Sequence, residues 1–201
     1  MALFLERGYA EVTIAEIADR AGLTRRTFFN HFPDKREVLF AGAKDFETSV
    51  AGHLAQAGDD LGPLDAAALA LTHGGLGLSQ YIAFADARRQ LIASSPELQE
   101  RELIKMASLA SAIAEALRRR HVPARTATLT AQAAVAVFTT AYGDWADDST
   151  ADFRMLMQRS LADLRQAAGC TPGTDSSPET KAAHHTVPPQ PASSPAPGQD
   201  M

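Results

Sequence analysis

The chain has 201 residues, 45% of them apolar, and a formal net charge of −5. An acidic total excludes indiscriminate coating of nucleic acid, so any such contact must come from a local basic patch. The single cysteine, Cys170, excludes an intrachain disulfide framework and a Cys-based zinc site. The N-terminus has no basic segment followed by an apolar stretch and a cleavage site, and no run of 18 apolar residues occurs. A soluble, cytoplasmic protein with no membrane partner is expected.

Composition before residue 171 favours helix almost everywhere, and strand-like alternation is scarce, so the predicted class is all-α. Pro33, Pro63, Pro96 and Pro123 fall where helices would start or stop. Residues 1 to about 46 hold short helical blocks, with Phe28, Phe29 and Phe32 close together. A first helix would begin at Met1 and end near Arg7, about two turns, a length that is marginal in isolation.

The stretch TIAEIADRAGLTRRTFFNHF, Thr13 to Phe32, carries the chemistry. Thr13 is placed to cap a helix whose inward residues are Ile14, Ile17, Ala18 and Ala21. Gly22 supplies the left-handed position that ends it, Leu23 packs inward, and Thr24 caps a second short helix. Phe28 and Phe32 face back at spacing four, leaving Arg25, Arg26, Thr27, Phe29, Asn30 and His31 to face outward or sideways. Two helices joined by a tight glycine turn, with small Ala18 at their approach, form a helix-turn-helix. The second helix has what a major-groove reader needs: arginine forks for a guanine edge or phosphate, Thr27 for a base or phosphate, and Asn30 for adenine. Pro33, Asp34, Lys35 and Arg36 then open the next helix, where Lys35 is a natural phosphate clamp. Four basic residues and one acid between 24 and 36 make the local patch that the acidic total requires.

Residues 65 to 93 contain Gly74, Gly75 and Gly77, each unfavourable in a helix interior by roughly 1 kcal/mol relative to alanine. Either the helix breaks here or its backbone approaches a ligand closely. From Leu98 to His121, Leu103, Met106, Ala107, Ala110, Ile113, Ala114 and Leu117 line one helical face. Residues 126–145 are apolar on nearly every side, which calls for neighbours on several sides or a partner subunit. Residues 152–168 are amphipathic through Phe153, Leu156, Met157, Leu161 and Leu164. Paired across a two-fold axis, these last two helices can form an isologous four-helix bundle, with Trp145 at its edge. Tyr81, Phe84, Met106, Phe138 and Tyr142 are the large residues that could surround a cavity, plain core being the alternative. His53, His73 and His121 are isolated in sequence, so no metal site or cofactor is expected. Residues 171–201 hold seven of the eleven prolines and read as a disordered tail, in which His184 and His185 lie.

The stretch Phe4 to Phe40, with its ERGY helix end, T-x-x-x-I-A-x-x-A-G turn, R-x-T-F-F-x-H-F helix and following P-x-K, resembles the DNA-binding domain of the TetR (tetracycline-repressor-like) family. The resemblance implies a ligand-responsive regulator, commonly a repressor, whose homodimer sets two recognition helices into successive major grooves of a pseudopalindromic operator in double-stranded DNA. By position, Thr13, Thr24, Arg25, Arg26, Thr27, Phe29, Asn30, His31 and Lys35 match the family's DNA-contacting places. Phe29 stands where tyrosine is usual and lacks its hydroxyl; Arg26 stands where glycine is often found. Family members normally carry one to two dozen residues before the equivalent of Phe4. The start is therefore expected to lie within a longer coding sequence, or the chain to be a DNA-binding-impaired helical dimer or ligand-binding module. The C-terminal run is similar to the subgroup that includes the mycofactocin-system regulator, which implies a small hydrophobic effector. The expected layout is a DNA-binding domain at 1–46, an effector-binding and dimerisation domain at 47–170, and the tail.

Overall fold

In a computed structural model, residues 1–169 are described, and every regular element among them is helical. The expected tail, with His184 and His185, lies outside the described residues, as does Cys170. Three short helices come first: α1 (Ala2–Arg7), α2 (Ile14–Arg20) and α3 (Arg25–His31). A 3₁₀ turn, Arg36–Phe40, leads to α4 (Ala43–Ala55). The sequence predicts a helix opening at Pro33–Arg36; instead the chain breaks at Ala41 (ψ 133°) and Gly42, whose φ of 84° suits a residue without Cβ. Leu39 and Phe40, each 6% exposed, are drawn into the core just before this break.

Next come α5 (Pro63–Leu76), a 3₁₀ turn (Ser79–Phe84), α6 (Ala85–Ala93), α7 (Pro96–Arg119), α8 (Ala124–Asp147) and α9 (Phe153–Ala167). Pro63 and Pro96 occupy the first helical turn, where a missing N–H has no ladder partner to lose. Asp152 caps α9 by accepting the Arg154 N–H at 2.8 Å. The left-handed His121 (φ 63°) turns the chain between α7 and α8. Arg120 closes the C-terminal end of α4 by donating to the carbonyls of Leu54, Ala57 and Gly58 at 3.3, 2.6 and 2.8 Å.

The glycine cluster resolves the choice left open by sequence. A break follows Leu76, yet Gly74 and Gly75 are still helical and buried. A Cβ on Gly74 would stand 2.8 Å from Val50 Cγ2 of α4, and one on Gly75 2.3 Å from Phe153 Cε1 of α9. The close approach is therefore between helices.

Two apolar cores result. The larger joins α4, α5, α7, α8 and α9 around Val50, Leu54, Leu71, Ile113, Leu117, Phe138, Phe153 and Met157. α8 lies inside it, packed against α5, α7 and α9. The smaller gathers Phe4, Tyr9, Val12, Leu39 and Phe40 from the first 40 residues with Leu91, Ile92 and Leu98 of α6 and α7. Short α1 is thus held by burial of Phe4, 1% exposed, and by the ion pairs Arg7–Glu16 (2.5 Å) and Arg20–Glu6 (3.0 Å). Among the described residues, no helix is long and apolar enough to cross a membrane.

Candidate functional site

The helical hairpin α2–α3 forms with the caps its sequence predicts, and one more. Thr13 Oγ1 accepts the Glu16 N–H at 3.3 Å, while the Glu16 carboxylate accepts both the Thr13 N–H and its hydroxyl at 2.8 Å. The T-x-x-E spacing is the signal for this reciprocal capping box. With Arg7 added, these bonds hold the Glu16 carboxyl down at about 2, the backbone bond from Thr13 being the largest cause. Gly22 takes φ 69°, and Thr24 Oγ1 accepts the Thr27 N–H at 3.1 Å. Phe28 is 2% exposed and its ring lies 5.4 Å from that of Phe32. Ala18 is buried and Ile14 and Ile17 half-buried, but Ala21 is exposed and Leu23 is 40% exposed, because the turn carries both past the core.

The outward face of α3 divides into engaged and free groups. The Thr27 hydroxyl is engaged with Thr24 Oγ1 at 2.9 Å, as is the Thr13 hydroxyl at the start of α2 with Glu16. Among the described residues, Arg25, Arg26, Asn30 and His31 are exposed and their side chains have no hydrogen-bond or ion-pair partner. Phe29, 48% exposed, meets Phe28 edge-on at 5.6 Å.

Lys35 departs from its expected place as a phosphate clamp. Its ammonium points inward and donates to the carbonyls of Tyr9 (2.9 Å), Ala10 (3.3 Å) and Val12 (3.1 Å), which uses all three of its N–H bonds. Arg36 is closed onto Asp34 at 2.6 Å and 3.0 Å. The patch of four cations read from the sequence is therefore two free arginines, both in the first turn of α3. Tyr9, beneath Lys35, is held protonated, with its pKa pushed up to about 12 by burial and then by Glu97 and Asp34.

Of the residues expected around a cavity, Phe138 and Tyr142 meet, but they do so in packed core. Phe138 is 5% exposed, stacked on Tyr142 (5.9 Å), tilted against Phe46 (5.3 Å) and edge-on to Phe153 (6.2 Å). Trp145, expected at a dimer edge, is inside the subunit, 4.8 Å from the Phe153 ring. Tyr81 and Phe84 are 57% and 51% exposed on the 3₁₀ turn. Met106 lines a groove of about 430 Å³ between α7 and α8 whose other walls are Ala107, Ala110, Ser111, Ala114, Arg118, Thr128, Gln132 and Val135. Five of these nine lining residues are Ala, Ser or Thr, so a reading that looks for large apolar residues finds only Met106 among them. A smaller one of about 220 Å³ lies between α5 and α9. His53 and His73, far apart in sequence, place their rings 5.2 Å apart, although no cluster of three or more metal-ligating groups occurs among the described residues.

Residues 1–41 match the family model "Bacterial regulatory proteins, tetR family", and residues 61–169, more than half the chain, match the "MftR C-terminal domain". The chain belongs to the TetR family. It is a TetR-family transcriptional regulator of the mycofactocin-regulator-like subgroup. Its fold is similar to that of Thermus thermophilus FadR, a TetR-family transcriptional repressor solved in complex with lauroyl-CoA. That likeness has 21% identity and a TM-score of 0.50, covering 97% of this chain and 95% of that one. No curated protein matches the chain. In TetR terms, α2 and α3 are the helix-turn-helix, and the groove belongs to the C-terminal domain.

Proposed function

We propose that this regulator is a ligand-responsive repressor that binds a pseudopalindromic operator as a homodimer, residues 1–46 reading DNA and residues 47–170 binding effector and partner. The observation that carries the reading is the free outward face of α3, where Arg25, Arg26, Asn30 and His31 stand exposed beside the buried Phe28. Unpaired guanidinium forks at a helix start match guanine edges and phosphates, and an asparagine one turn on matches adenine. Thr13, Thr24, Thr27 and Phe29 flank that face and shape its fit to the backbone.

The proposed dimer face is formed by α8 and α9, which leave Leu129 and Met155 about 60% exposed near small Ala136 and Ala162. The proposed effector is a small hydrophobic molecule in the α7–α8 groove, whose floor is Met106, Ala110, Ala114 and Val135. The lauroyl-CoA bound by FadR makes that compound a suitable first probe.

Selection from random duplex DNA with the full chain tests the proposal. A two-fold symmetric motif is expected, bound by a dimer in sedimentation and released by lauroyl-CoA or a compound like it. A chain that enriches no sequence at low salt defeats it.

A further inference from the structure

The 3₁₀ turn Arg36–Phe40 is gripped from the body of the protein in three ways. The Glu37 carboxylate, its side chain 14% exposed, takes Lys105 Nζ on Oε2 at 2.9 Å and the Arg101 guanidinium on Oε1. Arg88 of α6 donates from Nε to the Leu39 carbonyl at 3.2 Å, lies 5.1 Å from the centre of the Phe40 ring, and bonds Glu102 of α7 at 3.2 Å. Leu39 and Phe40 themselves are buried with Leu91, Ile92 and Leu98.

Toward α3 the same turn is closed by Asp34, whose Oδ1 accepts the N–H of Arg36 at 2.8 Å and of Glu37 at 3.3 Å, so the few residues between His31 and Glu37 form a short, hydrogen-bonded link. Toward the body, Arg101 and Lys105 lie one turn apart on α7, and the groove lining begins at the very next residue, Met106, and continues through Ala110 and Ala114 to Arg118. One unbroken helix therefore touches both the groove and the turn that ends the reading head. An exposed ion pair would transmit little, but this one is a carboxylate held by two cations that are 26% and 20% exposed.

We infer that Glu37 is a positioning residue: through Arg101 and Lys105 it fixes the orientation of α3 relative to α7, so that a change in the α7–α8 groove reaches the reading head along α7. The part concerning DNA rests on the function proposed above; the mechanical part does not.

The test uses the full chain in two variants, Glu37→Gln and the double substitution Arg101→Gln/Lys105→Gln, which cuts the same link without touching the head. Hydrogen exchange of the DNA-free protein is read first. Amides of residues 25–40 are expected to exchange at least tenfold faster in both variants, with α8 and α9 unchanged. Exchange within twofold of the parent chain, or loosening of α8 and α9 to the same degree, overturns the inference. Selection from random DNA is read second: both variants are expected to enrich the parent's half-site sequence with a broadened half-site spacing, and an unchanged spacing overturns the inference. The charge-exchanged chain Glu37→Lys/Lys105→Glu is expected to narrow the spacing again, and an exchanged chain as broad as Glu37→Gln counts against it. A parent chain that enriches no DNA defeats the function proposed above, and the exchange measurement then decides the positioning role alone.

Discussion

Lys35 Nζ stands 4.3 Å from the centre of the Tyr9 ring while donating to the carbonyls of Tyr9, Ala10 and Val12. A cation seated on an aromatic face and ringed by three carbonyls is a strut between the start of the α2 hairpin and the segment after α3.

Lys35→Met is therefore expected to destabilise the protein by about 2–3 kcal/mol, the scale of charged hydrogen bonds lost from carbonyls left without a partner. Urea unfolding measures it. A loss under about 0.5 kcal/mol would return Lys35 to the surface. In DNA binding, the slope of log K against log salt should not change for this variant.

Arg25→Ala/Arg26→Ala should behave oppositely. Stability should stay within about 0.5 kcal/mol of the parent, since both side chains are exposed and neither has a hydrogen-bond or ion-pair partner among the described residues. The salt slope of binding to the selected operator should become shallower by about 1 to 2, one unit for each phosphate contact removed. An unchanged slope would place the phosphate contacts elsewhere.

Acid should loosen the hairpin in a defined window. Glu16 sits at about 2 in the folded chain against an ordinary value of 4.5. A depressed carboxyl stabilises the fold above its unfolded value, and the contribution is lost as pH falls from about 4.5 toward 2. Glu37, opposed by burial but held down by Lys105 and Arg101, acts in the same direction. Glu16→Gln should flatten the fall in melting temperature between pH 4.5 and 2 while leaving the slope above pH 6 alone; a parallel fall in both chains would contradict the capping box.

Two glycine-to-alanine changes should have opposite signs. A Cβ on Gly52 in α4 would meet nothing within 4 Å, so Gly52→Ala should stabilise by about 0.5–1 kcal/mol through helix propensity. Gly75→Ala drives a methyl into the Phe153 ring and should cost about 1–2 kcal/mol net, overpacking outweighing propensity. Chemical denaturation of both reads the pair, and equal signs would refute the packing.

These contrasts mark where sequence reasoning reaches. The long helices, the caps at Thr13 and Thr24 and the glycine turn at Gly22 are local, set by spacing and by one residue's conformational preference, and each is legible. Whether a cation is free is a different question. Lys35 and Arg25 look alike in sequence, and only the arrival of carbonyls from residues 9, 10 and 12 separates them. The Glu37 pair with Arg101 and Lys105 spans more than 60 residues and leaves no local trace. Phe138 and Trp145 have the size and chemistry of pocket or interface residues, and their burial against Phe153 is a property of helices meeting in space.

The paired glycines of α5 have a dimensional consequence. Where Gly74 faces α4 and Gly75 faces α9, the wall between those helices is bare backbone. α4 leads to the reading head, and α9 lies on the proposed dimer face. In the dimer proposed above, the thickness of that wall is one component of the distance from each head to its twin, so two absent methyl groups would help set the stretch of duplex that the pair straddles.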